Sequence, residues 1–374
     1  AGRAAAATRP RSPRAAGEED DEEPLKRARG NGDPFADGLG VVLASGDAVA
    51  LSPPLSPTEA VLDVRRRVAA VLSLDLERVM LVSGKTVLQD MCLIGDACRV
   101  GGAVTAVVLE DLWDTDDPQN VPEYASDIFR RLLEEDPRRA LRPAARTPDA
   151  EDGSRVRCSI VDWLVEVHDK FGMMTETLFL AASIIDRFLE ARPTAPSFLR
   201  LVGVSSMLIA AKFEEIYPPE IRDFVYAANN ECTVEEIRQM EAFILSTLEF
   251  SVGGQTAAHF MDRCQRANHC SDQHGCLVQY ILELALTDAA LARSAPCRLA
   301  AAATLLSNRL LEHRPMWPVA MIGYTGCTEE ALAEPTEALH ELLRGARHSP
   351  LQQVRRKFSK PEHFGVAQLA EEVL

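Results

Sequence analysis

The sequence predicts a mainly α chain: a small α+β module, then two five-helix units in tandem. Three observations predict it. From residue 121 nearly to the end, apolar residues recur at helical spacing. Within that region "LRLVGVSSMLIAAKF" (199–213) and "CRLAAAATLLSNRLL" (297–311) are apolar or small on every face, the mark of a helix surrounded by others. Ahead of them, residues 39–110 follow a β-β-α-β-β order punctuated by turn residues.

The first 37 residues are rich in Ala, Pro, Gly and charge, with too little apolar bulk to offset ordering entropy, and are expected to be a disordered tail. "KRAR" (Lys26 to Arg29) within it is a candidate nuclear import signal, so localisation to nucleus and cytoplasm is expected. In residues 38–112, "LGVVLASGDAVALS" reads as a hairpin whose Gly46 takes the positive φ of a tight turn. "TEAVLDVRRRVAAVLSL" places Val61, Val64, Val68, Val71 and Leu72 on one helix face, with Thr58 as its cap. "RVMLVSGKTVL" and "AVTAVVLED" supply the remaining strands. This order, with "MLVSGKTVLQD" (80–90) after the helix, resembles ubiquitin, which implies a β-grasp fold. The chain runs on past it, so it cannot be conjugated as a modifier. Leu81, Ala106 and Val108 fall where ubiquitin keeps its apolar binding patch, which implies ubiquitin receptors as partners; an added domain with these residues in its core is the alternative.

Residues 113–120 form an acidic linker. Helices are then expected over 121–135, 154–170, 175–190, 197–213, 219–227 and 233–249, and over 256–267, 273–287, 296–311, 316–322 and 328–344. "CTVEEIRQMEAFILSTL" (232–248) is echoed by "CTEEALAEPTEALHELL" (327–343). In each, a Thr suited to capping precedes acidic residues that suit the helix dipole. The repeat divides the body into 121–250 and 251–366, leaving 367–374 as a tail.

"VRCSIVDWLVEVHDKF" (156–171), "ETLFLAASIIDRFLE" (176–190), "LVGVSSMLIAAKFEEIYPPEIRDFVY" (201–226) and "IRQMEAFILSTLEF" (237–250) resemble the cyclin box of mitotic A/B-type cyclins, with a lean toward B. "WPVAMIGYTGCTEEAL" and "VRRKFSKPEHFGVAQL" are similar to the second cyclin fold. The resemblance implies a regulatory subunit that binds and activates a cyclin-dependent kinase in G2/M control. It implies that Lys212 and Glu241 hold the kinase's mobile helix, with Phe213, Leu245 and Phe250 beside them and Tyr124 and Ile128 on the other flank. Glu214 and Glu215 are not expected to act as a catalytic pair, because adjacent helical residues point about 100° apart; they are expected to face solvent or hold Pro-turn amides, and Arg157, Asp186 and Lys212 to include an internal ion pair that holds helices together.

The resemblance also implies a docking groove for Arg-x-Leu substrates or inhibitors. Val156, Ile160 and Trp163 share one helical stripe, Glu166 continues it, and Arg200 stands where the family's backbone-binding Gln would be. Val156 and Ser159 are smaller than the family's residues, so a shallower groove is expected, with Arg200 opposing an incoming cation.

Fifty-six acidic residues against 40 basic ones, a net charge of −16, oppose nucleic acid and anionic membrane as partners. No stretch approaches about 18 consecutive apolar residues. Cys264, His269, Cys270, His274 and Cys276 cluster in "CQRANHCSDQHGC", but without the close Cys pairs of zinc sites, so no metal is expected. There is no Gly-rich phosphate loop, nucleophile elbow or His-Glu-x-x-His, so neither a cofactor nor an activity of the chain's own is expected. The alternatives are a non-kinase scaffold of the cyclin fold and a ubiquitin-pathway adaptor.

Overall fold

The computed structural model describes residues 40–84, 86–96, 104–109, 124, 127–133 and 148–374. The expected tail at 1–37 and acidic linker at 113–120 lie outside these residues.

Strands β1 (Val41–Leu43), β2 (Ala48–Val49), β3 (Val79–Ser83), β4 (Thr86–Val87) and β5 (Val104–Val108) form one mixed sheet in the order β2-β1-β5-β3-β4. β1 and β5 run parallel, and the other pairs are antiparallel. Gly46, at φ 91°, makes the β1–β2 turn, a conformation that disfavours any residue with a Cβ. Helix α1 (Val61–Leu72) crosses one face and buries Val61, Val64 and Val68 against Val41, Leu81, Val104 and Ala106.

Two expectations are corrected here. Thr58 does not cap α1: the cap position is Ala60, without a side-chain bond, and the Thr58 hydroxyl pairs instead with Ser56. Leu81 and Ala106 are not a binding patch. The β3–β5 register sets them opposite each other, and strand periodicity turns both toward α1, where both are fully buried. Met80, Val82 and Val107 face the other way.

The helical body begins with α2 (Pro148–Phe171), α3 (Thr175–Ala191), α4 (Leu199–Glu214), α5 (Ile221–Ala227) and α6 (Val234–Thr247). It repeats with α7 (Ala257–Ala267), α8 (Asp272–Leu286), α9 (Pro296–Leu310), α10 (Val319–Thr325) and α11 (Ala333–Gly345). α4 packs between α2, α3 and α6, and α9 between α7, α8 and α11. The small residues of α4 serve that position. A Cβ on Gly203 would lie 2.6 Å from Ile160 Cγ2, so only glycine lets α2 come this close. Pro196–Glu214 is long and apolar enough to cross a membrane by composition, but it is mostly buried in this core. One continuous apolar cluster runs through both repeats.

Local chemistry sets the helix starts. Thr233 and Glu236 form a reciprocal capping box on α6, and the Ser271 hydroxyl accepts the His274 amide at the start of α8. α10 starts after Pro318 and runs to Thr325, three residues beyond expectation. The helix expected at 328–344 is broken: a 3₁₀ turn (Glu330–Leu332), with Thr328 accepting the Ala331 amide, precedes α11. Residues 367–374 are not a tail. α12 (Gln353–Phe358) and α13 (Val366–Val373) fold back on α8, burying Val354, Phe358, Val366, Ala367 and Ala370.

Candidate partner-binding site

α4 ends where its last turn leaves the core, which carries Lys212 into solvent while α6 brings Glu241 alongside. Lys212 Nζ lies 2.6 Å from Glu241 Oε1, with the lysine side chain 50% exposed and the glutamate 16%. The pair lines a recess of about 350 Å³ together with Leu208, Pro218, Pro219, Ile221 and Arg238. A fixed cation beside a fixed carboxylate can satisfy both the free amides and the free carbonyls at the end of a partner's helix.

Apolar side chains surround the pair. Phe213 is 57% exposed, its ring against Gly253, where a Cβ would come within 3.2 Å of Phe213 Cζ. Phe250 is 71% exposed at φ 57°, a left-handed conformation that a bulky residue adopts only when its surroundings enforce it. Its amide donates to Leu245 O at 2.8 Å, closing the end of α6 and leaving Leu245 half-buried beneath. Sequence reasoning missed Ile216 and Tyr217, two of the most exposed large apolar residues described. Their signal was available: apolar side chains in a Pro-bounded turn have no core to enter.

Helical segment 127–133 lies on the body through Phe129, which is buried against the Arg263 guanidinium at 4.2 Å, and through Leu132 and Leu133. The opposite side leaves Tyr124 and Ile128 exposed.

Glu215 does not face a Pro-turn amide. Its carboxylate accepts the Met174 amide at 2.7 Å and the Thr177 hydroxyl at 2.5 Å, capping α3. Burial, then Glu176 and Glu215, raise the Glu214 carboxyl above its ordinary value. Arg157 and Asp186 form a buried two-pronged pair at 2.8 and 2.7 Å, and Arg157 also donates to Leu286 O, tying the two repeats together. Lys212 takes no part in it.

The α2 stripe divides. Trp163, Glu166 and Arg200 line a second recess with Val167, Lys170, Tyr226, Asn229 and Asn230. Ile160 is 9% exposed and packed on Gly203, and Val156 lies against the core; neither lines the recess. The Arg200 guanidinium stacks on the Trp163 ring at 4.7 Å and pairs with Glu231 at 3.1 Å. Glu166 accepts from Gln353 Nε2 at 3.1 Å.

The Cys and His residues of 264–276 do not converge. Cys264 is buried and its thiol is pushed up to about 12 by burial, while Asn268 and Asn308 form a reciprocal amide pair nearby. Among the described residues, metal-ligand atoms cluster within 4.8 Å only at Asp169, Glu362 and His363. There the Lys360 ammonium already sits 2.7 Å from Asp169 and 3.4 Å from Glu362.

Residues 127–253 match the cyclin N-terminal domain and residues 255–372 the cyclin C-terminal domain. The chain is 37% identical over 257 residues to a G2/mitotic-specific cyclin-B of Marthasterias glacialis, covering 69% of this chain and 66% of that one. It is 36% identical over 241 residues to the G2/mitotic-specific cyclin-B2 of Gallus gallus, covering 64% and 60%. It thus spans less than two thirds of the length of these relatives. Among solved structures it is similar to a viral cyclin from herpesvirus saimiri, with TM-score 0.49 and 18% identity, over 61% of this chain and 99% of that one.

Proposed function

We propose, from the premise that this chain belongs to the cyclin family, that it is the regulatory subunit of a cyclin-dependent serine/threonine kinase in G2/M control. The cyclin-B relatives support the assignment, and one observation carries its mechanism: Lys212 and Glu241 meet at 2.6 Å, reachable from solvent beside exposed apolar residues. In this reading the pair holds the end of the kinase's mobile helix while Phe213, Leu245, Phe250, Tyr124 and Ile128 bury apolar surface. Burial supplies most of the affinity and the charges set register. Binding biases the kinase toward its active arrangement by as much as the interface discriminates between its two states. Catalysis belongs to the kinase.

The test is to purify the chain from cells, identify the kinase that accompanies it, and assay Lys212→Ala with Glu241→Ala. Loss of kinase activation is expected; full activation by the double variant defeats the reading.

The sheet order and the α1 packing support a ubiquitin-like β-grasp domain over residues 38–112. Burial of Leu81 and Ala106 weighs against receptor binding through them. The recess at Trp163 is the candidate substrate-docking groove, and "KRAR" supports access to the nucleus as well as the cytoplasm.

A further inference from the structure

The recess at Trp163 carries a charge pattern opposite to what an Arg-bearing docking peptide needs. It holds about 410 Å³ and presents two cations, Arg200 and Lys170, against one lining carboxylate, Glu166. The Arg200 cation is fixed: its guanidinium lies over Trp163 at 4.7 Å and its Nε is held by Glu231 at 3.1 Å. Lys170 Nζ stands 4.5 Å from the Tyr226 ring centre, and among the described residues no carboxylate lies within ion-pair distance of it. Glu166, the group that would receive a peptide cation, is engaged by Gln353 at 3.1 Å. Asn229 and Asn230 also line the recess and carry amides of the kind that donate to a carboxylate.

We infer that this recess selects an acidic docking peptide, seating a Glu or Asp carboxylate between Arg200 and Lys170, with Trp163 as the apolar floor. The inference rests on the docking-groove reading above and adds to it the charge of the ligand. An incoming guanidinium meets the Lys170 ammonium and must displace Gln353 from Glu166. An incoming carboxylate meets that same ammonium, which has no carboxylate partner among the described residues, and shares the Arg200 guanidinium with Glu231. Exposed charges of this kind contribute little to total affinity but discriminate between partners, because the wrong sign is repelled. The replacement of the family's Gln by Arg200 is then a specificity change: the stacked guanidinium occupies the ring face and sets the sign of the site.

The test uses the full chain and two fluorescent peptides, identical except for Glu or Arg two residues before a Leu. Anisotropy titrations are expected to show the Glu peptide binding about tenfold tighter, with the difference shrinking as salt rises. Arg200→Gln should narrow or invert the preference, and Lys170→Ala should weaken the Glu peptide alone; melting curves verify that each variant is folded. Arg-peptide binding equal to or tighter than Glu-peptide binding overturns the inference and leaves the docking groove standing. Failure of both peptides to bind overturns the inference together with the groove.

Discussion

Lys212 and Glu241 form a surface ion pair, and such pairs contribute about 0.2–1 kcal/mol to stability. Their removal should therefore leave the melting temperature nearly unchanged while abolishing kinase activation, a separation that a merely structural pair would not give. Residues with the opposite balance lie in the second repeat. His274 is buried, its ring 5.7 Å from that of His313, and burial, then His313, lower its pKa from 6.5 to about 4. The unfolded chain therefore binds this proton more readily than the folded one. Stability is fully present above about pH 6.5 and falls as pH drops toward 4. His168 and His259 shift in the same direction, mainly through burial. Melting temperature measured against pH should fall through this window, and His274→Leu should flatten the slope by about one proton. An unaltered slope would show that His274 already titrates normally in the folded chain.

Between elements, the connection most exposed to loss is that between α12 and α8. Lys357 and Glu283 meet at 2.6 Å with side chains 4% and 0% exposed, and Gln279 Nε2 donates to the same carboxylate oxygen at 2.9 Å. Lys357→Met leaves a carboxylate buried without its cation and should cost about 3–5 kcal/mol; Glu283→Gln with Lys357→Met together should recover much of it. Denaturant unfolding of both variants measures the difference. The motif at 354–369 placed α12 in the second cyclin fold, but no helix was expected beyond 344 and 367–374 read as a tail. α12 spans six residues and α13 eight, too short to be stable alone, so packing on α8 decides their structure rather than local propensity. The longer helices were legible because their apolar periodicity is itself the record of their burial: α4 and α9 could be recognised as central from composition on every face. Lys212 and Glu241 were legible through the motif around them. Which face of β3 carries Leu81 was not, since a shift of one residue in register reverses every side chain. The path of Arg200 over Trp163 depends on a fold contact between α2 and α4 that spacing along the chain does not encode.

At the scale of the whole molecule, the sheet is fastened to the second repeat by its outer face. Met80, Val82 and Val107 pack with Leu109 on Val319 and Ala320 of α10. Leu109 is held in place by reciprocal bonds with Arg78: its amide donates to Arg78 O at 2.7 Å, and Arg78 Nε donates to Leu109 O at 3.1 Å. A glycine inside a helix costs about 1 kcal/mol relative to alanine. Gly323 in α10 has a reason to be there: a Cβ would lie 2.8 Å from Leu109 Cδ2 and 3.2 Å from Met80 Sδ. The close approach thus sets the Leu109 and Met80 side chains of the sheet against the bare backbone of Gly323, and the face that an isolated sheet would offer to partners is taken by the chain itself. Gly323→Leu should push the sheet off α10. Calorimetry should then resolve two transitions in place of one, and amide exchange across β3 and β5 should accelerate while α4 and α9 stay protected. Gly345→Ala, at the end of α11 where a Cβ meets nothing within 4 Å, is the control for altering a helical glycine as such. If Gly323→Leu melts and exchanges as that control does, the sheet is not held by α10 in solution, and its outer face is open to other proteins.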